Sequence, residues 1–249
     1  MIPLKSPAEL EKMRKAGRVV GELLAELGPR VKPGVTTKDL DRFAREFIEK
    51  RKAVPAFLGY QGYPATICAS VNEQVVHGIP NDKALHEGDI VGVDVGAVLD
   101  GFVGDAARTY AVGKVSQKAQ DLMKATRESL ELGLAQARDG RHLQDIGAAV
   151  QGHVEPRGFS VVRDFVGHGI GRKMHEPPQI PNYGKPGLGV KIKAGMCLAI
   201  EPMVNVGGWE VKVLEDGWTV VSKDGSLSAH FEDTIAVNEG EPEILTRVS

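Results

Sequence analysis

The chain has 249 residues with 31 basic and 33 acidic side chains, a formal net charge of −2; this removes the basic footprint of a nucleic-acid or anionic-membrane binder. No apolar run approaches the roughly 20 residues that span a bilayer, and the opening MIPLKSPAEL has no signal-peptide core, so the expectation is a cytoplasmic protein with no membrane partner. In that compartment Cys68 and Cys197, neither of them in a CxxC or CxxH pair, are expected as thiols and not as a disulfide or structural zinc site.

Ser6-Pro7-Ala8-Glu9 is a capping box with proline at the first helical position. Leu10, Met13, Val20, Leu23, Leu24 and Leu27 follow at helical spacing until Gly28-Pro29 stops the run. A second helix starts near Thr36–Asp39 and carries Leu40, Phe43, Ala44, Phe47 and Ile48 on one face. A loop rich in glycine and aromatics (Phe57, Tyr60, Tyr63) leads to a strand over Ala65–Val71 and an apolar piece, Val75–Ile79, containing His77.

Ile90–Tyr110 then reads as a β-hairpin turning at Asp100-Gly101, with Asp94 and Asp105 inside otherwise apolar runs. A two-residue loop sets Asp94 opposite Ala107 and diagonal to Asp105. A wider loop that shifts the register by two sets the acids face to face. Either way they share one face, roughly 5–8 Å apart at the backbone. Like charges that close in an apolar sheet cost several kcal/mol unless a proton or cation lies between them.

After the hairpin the pattern restarts. A long helix is predicted from Ser116 to Ala137, ending at Asp139-Gly140, and a shorter one over Leu143–Val154. Gly34, Asp39, Leu40, Glu49 and Arg51 recur at an offset of 106 as Gly140, Asp145, Ile146, Glu155 and Arg157. Met13–Arg18 resembles Leu122–Arg127 at an offset of 109, and Gly88–Asp94 parallels Gly195–Glu201 at 107. Three matches at nearly one offset argue for a duplication: one domain, 1–249, in halves of about 1–112 and 113–249. Asp94 then corresponds to Glu201, which suggests a site on a pseudo-twofold axis. Phe165–Gly171, with His168, ends an apolar strand. The loop after it carries His175, and Glu176–Gly184 is too rich in proline for helix and is expected as a rim or lid. Met196–Val206, Val211–Leu214, Trp218–Ser222 and Leu227–Val237 are expected as a meander. In its last strand Ser228, His230, Glu232 and Thr234 share one face, and Ala229, Phe231 and Ile235 the other.

Asp94, Asp105, His168, Glu201 and Glu232 thus make four carboxylates and one imidazole in strand-like apolar runs. Two divalent cations roughly 3.5–4 Å apart, with bridging carboxylates, would neutralise them. An oxygen-rich set with one nitrogen suits Mn, Fe(II), Co or Zn.

These residues lie in five separated stretches in order: ICASVNEQVVHGIP (Ile67–Pro80), VDVGAVLDGFVGDAART (Val93–Thr109), GHGIG (Gly167–Gly171), AIEPM (Ala199–Met203) and SLSAHFEDT (Ser226–Thr234). Together they resemble the type I methionine aminopeptidases over essentially the whole chain. The resemblance implies an α+β pita-bread fold, two pseudo-twofold-related halves of helices packed on antiparallel strands. It implies a dinuclear hydrolase that removes the initiator methionine from nascent polypeptides when the next residue is small; a chain beginning Met1-Ile2 would keep its own. By the same resemblance Asp94 would hold one metal, His168 and Glu201 the other, and Asp105 and Glu232 would bridge both. Glu201 would accept the proton of the attacking water, His175 would stabilise the oxyanion, and His77 would meet the scissile amide nitrogen. Tyr60, Tyr63, Cys68 and Trp218 would line the methionine pocket, and Asn72 and Ser228 would flank a monovalent cation. A monomer is expected, and docking on the ribosome is left open. Three residues depart from the pattern: Met174 where an aromatic is expected, and His230 and Asp233 where Gln-x-Glu-His is commoner. The rivals are an Xaa-Pro aminopeptidase or prolidase of the same fold, and a non-catalytic pita-bread binding protein.

Overall fold

In the computed structural model, which describes residues 2–248, both N-terminal helices begin at the capping boxes read from the sequence. Ser6 Oγ accepts from the Glu9 N–H while the Glu9 carboxylate accepts from the Ser6 N–H, and α1 runs Pro7–Leu27. Thr36 and Asp39 repeat the arrangement ahead of α2, Thr37–Lys50. Met1, on which retention of the initiator methionine bears, lies outside the described residues, as does Ser249.

The first half continues with β1 (Val54–Pro55), β2 (Ile67–Val71), β3 (Gln74–Val76), β4 (Ile90–Leu99) and β5 (Phe102–Ala111). The second half begins with α3 (Gln117–Leu134) and α4 (Leu143–Val154). Its strands are β6 (Ser160–Val161), β7 (Gly167–Gly169), β8 (Glu176–Ile180), β9 (Cys197–Ile200) and β10 (Met203–Asn205). They are followed by β11 (Val211–Val213), β12 (Val220–Ser222), β13 (Ser228–His230), β14 (Glu232–Ala236) and β15 (Glu243–Ile244). Helix α3 stops at Leu134, short of Ala137, because the N–H groups of Gln136 and Ala137 bond three residues back and tighten the last turn.

Nine strands form one antiparallel sheet in the order β1-β4-β5-β14-β9-β7-β8, with β2 beside β4 and β15 beside β14. The β4–β5 hairpin takes the two-residue loop: Asp100 (φ 51°) and Gly101 (φ 76°) are both left-handed, and Leu99 pairs with Phe102. Alternation then turns Val93, Val95 and Ala106 onto α1 and α2, against Val20, Leu23, Leu40 and Ile48. Asp94 and Asp105 face the other way. Helices α3 and α4 cover the second half of the sheet in the same manner, with Leu122, Leu130, Ile146 and Val150 on Leu198, Ile200 and Ile235. Helix α1 crosses β5 at Gly104, where a Cβ would lie 2.7 Å from the backbone of Ala16 and Gly17.

Two expectations are corrected. Met196–Val237 is not a meander: β9 and β14 pair in the large sheet, β10 and β13 join β6, and β11 and β12 join β3. The chain changes sheet at Pro202 and at Phe231, which fall between strands. Nor is Glu176–Gly184 simply a rim: Glu176–Ile180 is the edge strand β8, paired with β7. Prolines are tolerated there because an edge strand leaves one row of N–H positions outside the ladder.

The two halves repeat particular hydrogen bonds. Gly34 N–H donates to Leu85 O and Gly140 N–H to Ile192 O, at 2.8 and 3.0 Å. In return Leu85 N–H donates to Val35 O and Ile192 N–H to Arg141 O, at 2.8 and 2.7 Å.

Candidate metal centre

The sheet register gathers the five predicted ligands onto one face. Asp94 pairs with Ala107, and Ala107 pairs with Glu232, so two acids flank a small residue in one row across β4, β5 and β14. Asp105 lies on β5 two residues from Ala107. On the far side of β14, Asp233 pairs with Ile200, which brings the next residue, Glu201, level with Glu232. His168 pairs with Ala199, two residues from Glu201.

One donor atom each from Asp105, His168 and Glu232 lies within 4.8 Å of the others. His168 Nε2 is 3.8 Å from Asp105 Oδ2 and 3.6 Å from Glu201 Oε1. The carboxyl of Asp94 adjoins that of Asp105. Asp94 Oδ1, Asp105 Oδ1 and Glu232 Oε1 are buried without a hydrogen-bond partner. Burial raises the pKa of Asp94. Burial first, and then the neighbouring carboxylates, raises those of Asp105, Glu201 and Glu232 well above the ordinary range. His168 Nδ1 lies 2.9 Å from the Gly169 carbonyl. A carbonyl can only accept, so the proton is on Nδ1 and the Nε2 lone pair points at the acids. Burial lowers this imidazole to about 4, so it is neutral. A neutral imidazole oriented by a backbone acceptor, among orphaned carboxylate oxygens, fits a divalent cation.

Beside the acids is a cavity of about 160 Å³ lined by Phe57, Tyr60, Tyr63, Cys68, Met174 and Trp218, with His77 and His175 at its polar side. Tyr63 and Trp218 meet edge to face at 5.0 Å. His77 is edge-on to Phe165 at 5.6 Å and to Trp218 at 6.2 Å, and burial lowers its pKa to about 4. The Tyr60 hydroxyl is 2.8 Å from His175 Nδ1, and the His175 ring lies 4.3 Å from that of His168. Cys68 pairs with Asp94, and burial raises its thiol, so it serves as a neutral apolar wall.

A profile of metallopeptidase family M24 matches residues 11–239. The chain belongs to metallopeptidase family M24. It is 55% identical over 247 residues to the methionine aminopeptidase of Clostridium acetobutylicum, covering 99% of both chains. The crystal structure of methionine aminopeptidase from Thermotoga maritima superposes with a TM-score of 0.98 at 51% identity, covering 100% of both. The prolidase of Pyrococcus furiosus gives a TM-score of 0.77 at 19% identity over 66% of its length, a likeness of fold alone. The architecture is the pita-bread fold of the family.

Within that frame the departures acquire places. Met174 is buried against Phe57, and both reach over Gly96, where a Cβ would be 2.9 and 2.8 Å from their tips. His230 is buried with Nε2 unpaired, 3.7 Å from Glu201 Oε2. His230, expected on one face with Glu232 from the period of two, does stand beside the acids, although the chain changes sheet at Phe231 between them. Sequence reasoning passed over Gln61, which lines the cavity at a positive φ of 49° and left no signal. Asn72 and Ser228 are neighbours, the Ser228 N–H donating to Asn72 O at 2.9 Å. The Asn72 side chain is committed to Asp89 and to the Ile90 N–H.

Proposed function

We propose that this chain is a metal-dependent methionine aminopeptidase, removing the initiator methionine from nascent polypeptides when the second residue is small. The observation that carries the reading is a cavity with aromatic and thioether walls abutting a cluster of orphaned carboxylates. An unbranched thioether packs well against aromatic faces, and Asp94, Asp105, Glu201 and Glu232 line the same cavity. Full-length relatives bearing that name support it. No observation favours the Xaa-Pro or the non-catalytic reading.

In this proposal Asp94 would hold one divalent ion, His168 and Glu201 the other, and Asp105 and Glu232 would be shared between them; Co, Mn, Fe(II) and Zn all suit the donor set. Two such ions, when bound, would supply Lewis acidity and would lower the pKa of a water from about 15.7 toward 7. Glu201, beside the neutral His168, accepts that water's proton. With the Tyr60 hydroxyl donating to Nδ1, His175 keeps its proton on Nε2 and donates it toward the oxygen where charge develops. His77 is held edge-on by Phe165 and Trp218 and meets the amide nitrogen. The aromatic cage excludes water from the rest of the side chain.

The matching bonds of Gly34 and Gly140 support two related halves, about 1–112 and 113–249, in one catalytic domain. A cytoplasmic monomer acting on nascent chains belongs to the same proposal. No helix among the described residues is long and apolar enough to cross a membrane. A monovalent cation beside Asn72 and Ser228 belongs to the same reading. The deciding experiment compares Met-Ala and Xaa-Pro peptides on purified protein with each divalent ion in turn. Cleavage of Met-Ala alone is expected, and a preference for Xaa-Pro overturns the assignment.

A further inference from the structure

A charged cluster on the opposite face of the sheet has no part in the chemistry above. Asp233 follows Glu232 on β14, is 0% exposed, and points away from the cavity. Arg108 donates to its Oδ1 at 2.6 Å, and Thr246 Oγ1 donates to the same oxygen at 2.8 Å. Arg247 donates to Oδ2 through Nε and Nη2, at 2.9 and 2.6 Å, and its guanidinium also meets both carboxylate oxygens of Glu131 on α3. Arg108 Nη1 donates to the Ala107 carbonyl at 2.9 Å and to the carbonyl of Glu232 itself.

Ala107 and Glu232 face each other across the β5–β14 pairing, which consists of only two residue pairs, Glu232 with Ala107 and Asp233 with Ala106. This seam joins the first half of the chain to the second, and Asp105 and Glu232 stand on its two sides. Threonines stitch its ends. Thr234 Oγ1 donates to Asp105 O at 2.7 Å, and Thr109 Oγ1 to His230 O at 2.8 Å. Arg108 closes the middle, with one guanidinium nitrogen on a carbonyl from each strand. A planar guanidinium whose other nitrogen is fixed by a buried carboxylate loses little freedom in making those bonds.

We propose that Arg108, held by Asp233, which Arg247 in turn fixes, is a positioning residue that sets the spacing of Asp105 and Glu232 across the β5–β14 seam. The inference rests on the reading of those two acids as bridging ligands. A ligand set must be held to within about 0.5 Å of its working geometry; the threonines fix the two ends of the seam, and the Arg108 fork is the side-chain tie at its middle. The C-terminal segment thereby acts on the centre through Arg247 and Thr246, although neither touches the cavity.

The test uses the full chain with Arg108→Met, which keeps an unbranched stem and removes the fork, and Arg108→Lys. Arg14→Ala serves as the control, since Arg14 pairs with Glu243 on the same C-terminal segment and has no contact with the seam. Co(II) affinity by calorimetry, the visible spectrum of the Co(II) protein and the thermal midpoint are measured for each. Arg108→Met is expected to weaken Co(II) binding about 10- to 100-fold and to shift the Co(II) bands. Arg108→Lys should recover part of both, and Arg14→Ala should lower the midpoint alone. Wild-type affinity and bands in Arg108→Met would overturn the inference, and so would an equal loss of affinity in Arg14→Ala. Should Arg108→Met fail to fold, Arg247→Met is read by the same two signals, with a smaller loss expected and no loss refuting. Wild-type protein that binds no Co(II) would bring down the bridging assignment with it; variants that match a metal-binding wild type remove this inference alone.

Discussion

Replacing Gly104 by alanine sets two effects of opposite sign against each other. The backbone there is not left-handed, so alanine gains about 0.4–1 kcal/mol by restricting the unfolded chain. Against this, its Cβ would lie 2.7–2.8 Å from three backbone atoms of Ala16 and Gly17, where ordinary contact needs about 3.5 Å. Backbone cannot swing aside as a side chain does, so α1 must retreat by roughly 0.7 Å from the hairpin that carries the acids. Overpacking of this kind costs about 1–3 kcal/mol, here toward the upper end, leaving a net loss of about 1–2.5 kcal/mol. At about 2–4 °C per kcal/mol for a chain of this size, the midpoint should fall by about 2–10 °C. Gly152 supplies the counterpart: it is exposed in α4 and an added Cβ meets nothing within 4 Å. Gly152→Ala should therefore raise stability by about 0.5–1 kcal/mol. Scanning calorimetry in chelator at one pH reads both without interference from bound metal. A Gly104→Ala midpoint at or above wild type, alongside a raised Gly152→Ala midpoint, refutes the argument that α1 and β5 are in backbone contact.

Asp105→Asn and Glu232→Gln should each abolish peptidase activity and metal loading with little unfolding, as read by activity, bound-metal analysis and circular dichroism; substantial activity in either purified variant contradicts the bridging role. His175→Ala should lower kcat far more than Co(II) affinity, and a parallel loss of metal would make it a ligand instead. The metal-free protein should show a pH-dependent effect of Glu232→Gln. Burial and its acidic neighbours raise the folded pKa of Glu232, so its contribution to stability is present below the unfolded value near 4.3 and is lost as pH rises through the folded value. The variant's midpoint in chelator should therefore exceed wild type at pH 8, with the gap narrowing toward pH 5, and a gap that widens on acidification refutes the sign.

Much of this was legible because the signals are local. Ser6 with Glu9, and Thr36 with Asp39, fix helix starts through bonds three residues apart, and Asp100-Gly101 fixes a hairpin through its own backbone preference. Period-two alternation then gives the face of Asp94, Asp105 and Glu232 without knowledge of any partner strand. The choice between a tight and a wider loop could not be made locally, since both keep the acids on one face. The meander failed for the complementary reason. Partners such as β3 for β12 and β6 for β10 lie far away in sequence, and nothing within Met196–Val237 announces them. Arg108 and Asp233 were equally silent: a charged pair on neighbouring strands reads as solvated surface until its burial is known. The ligand roles came from the resemblance, and the structure supplies the register that makes them mutually consistent.

The seam of two residue pairs has a consequence for the life of the protein itself. Asp105 and Glu232 cannot meet until a stretch late in the chain has been made and has closed against one made much earlier. A half-synthesised copy carries Asp94 and Asp105 on a hairpin with nothing opposite them. On the proposed ligand set, such a copy would lack Glu201 and Glu232 and would be inert toward the peptide ends that surround it during translation.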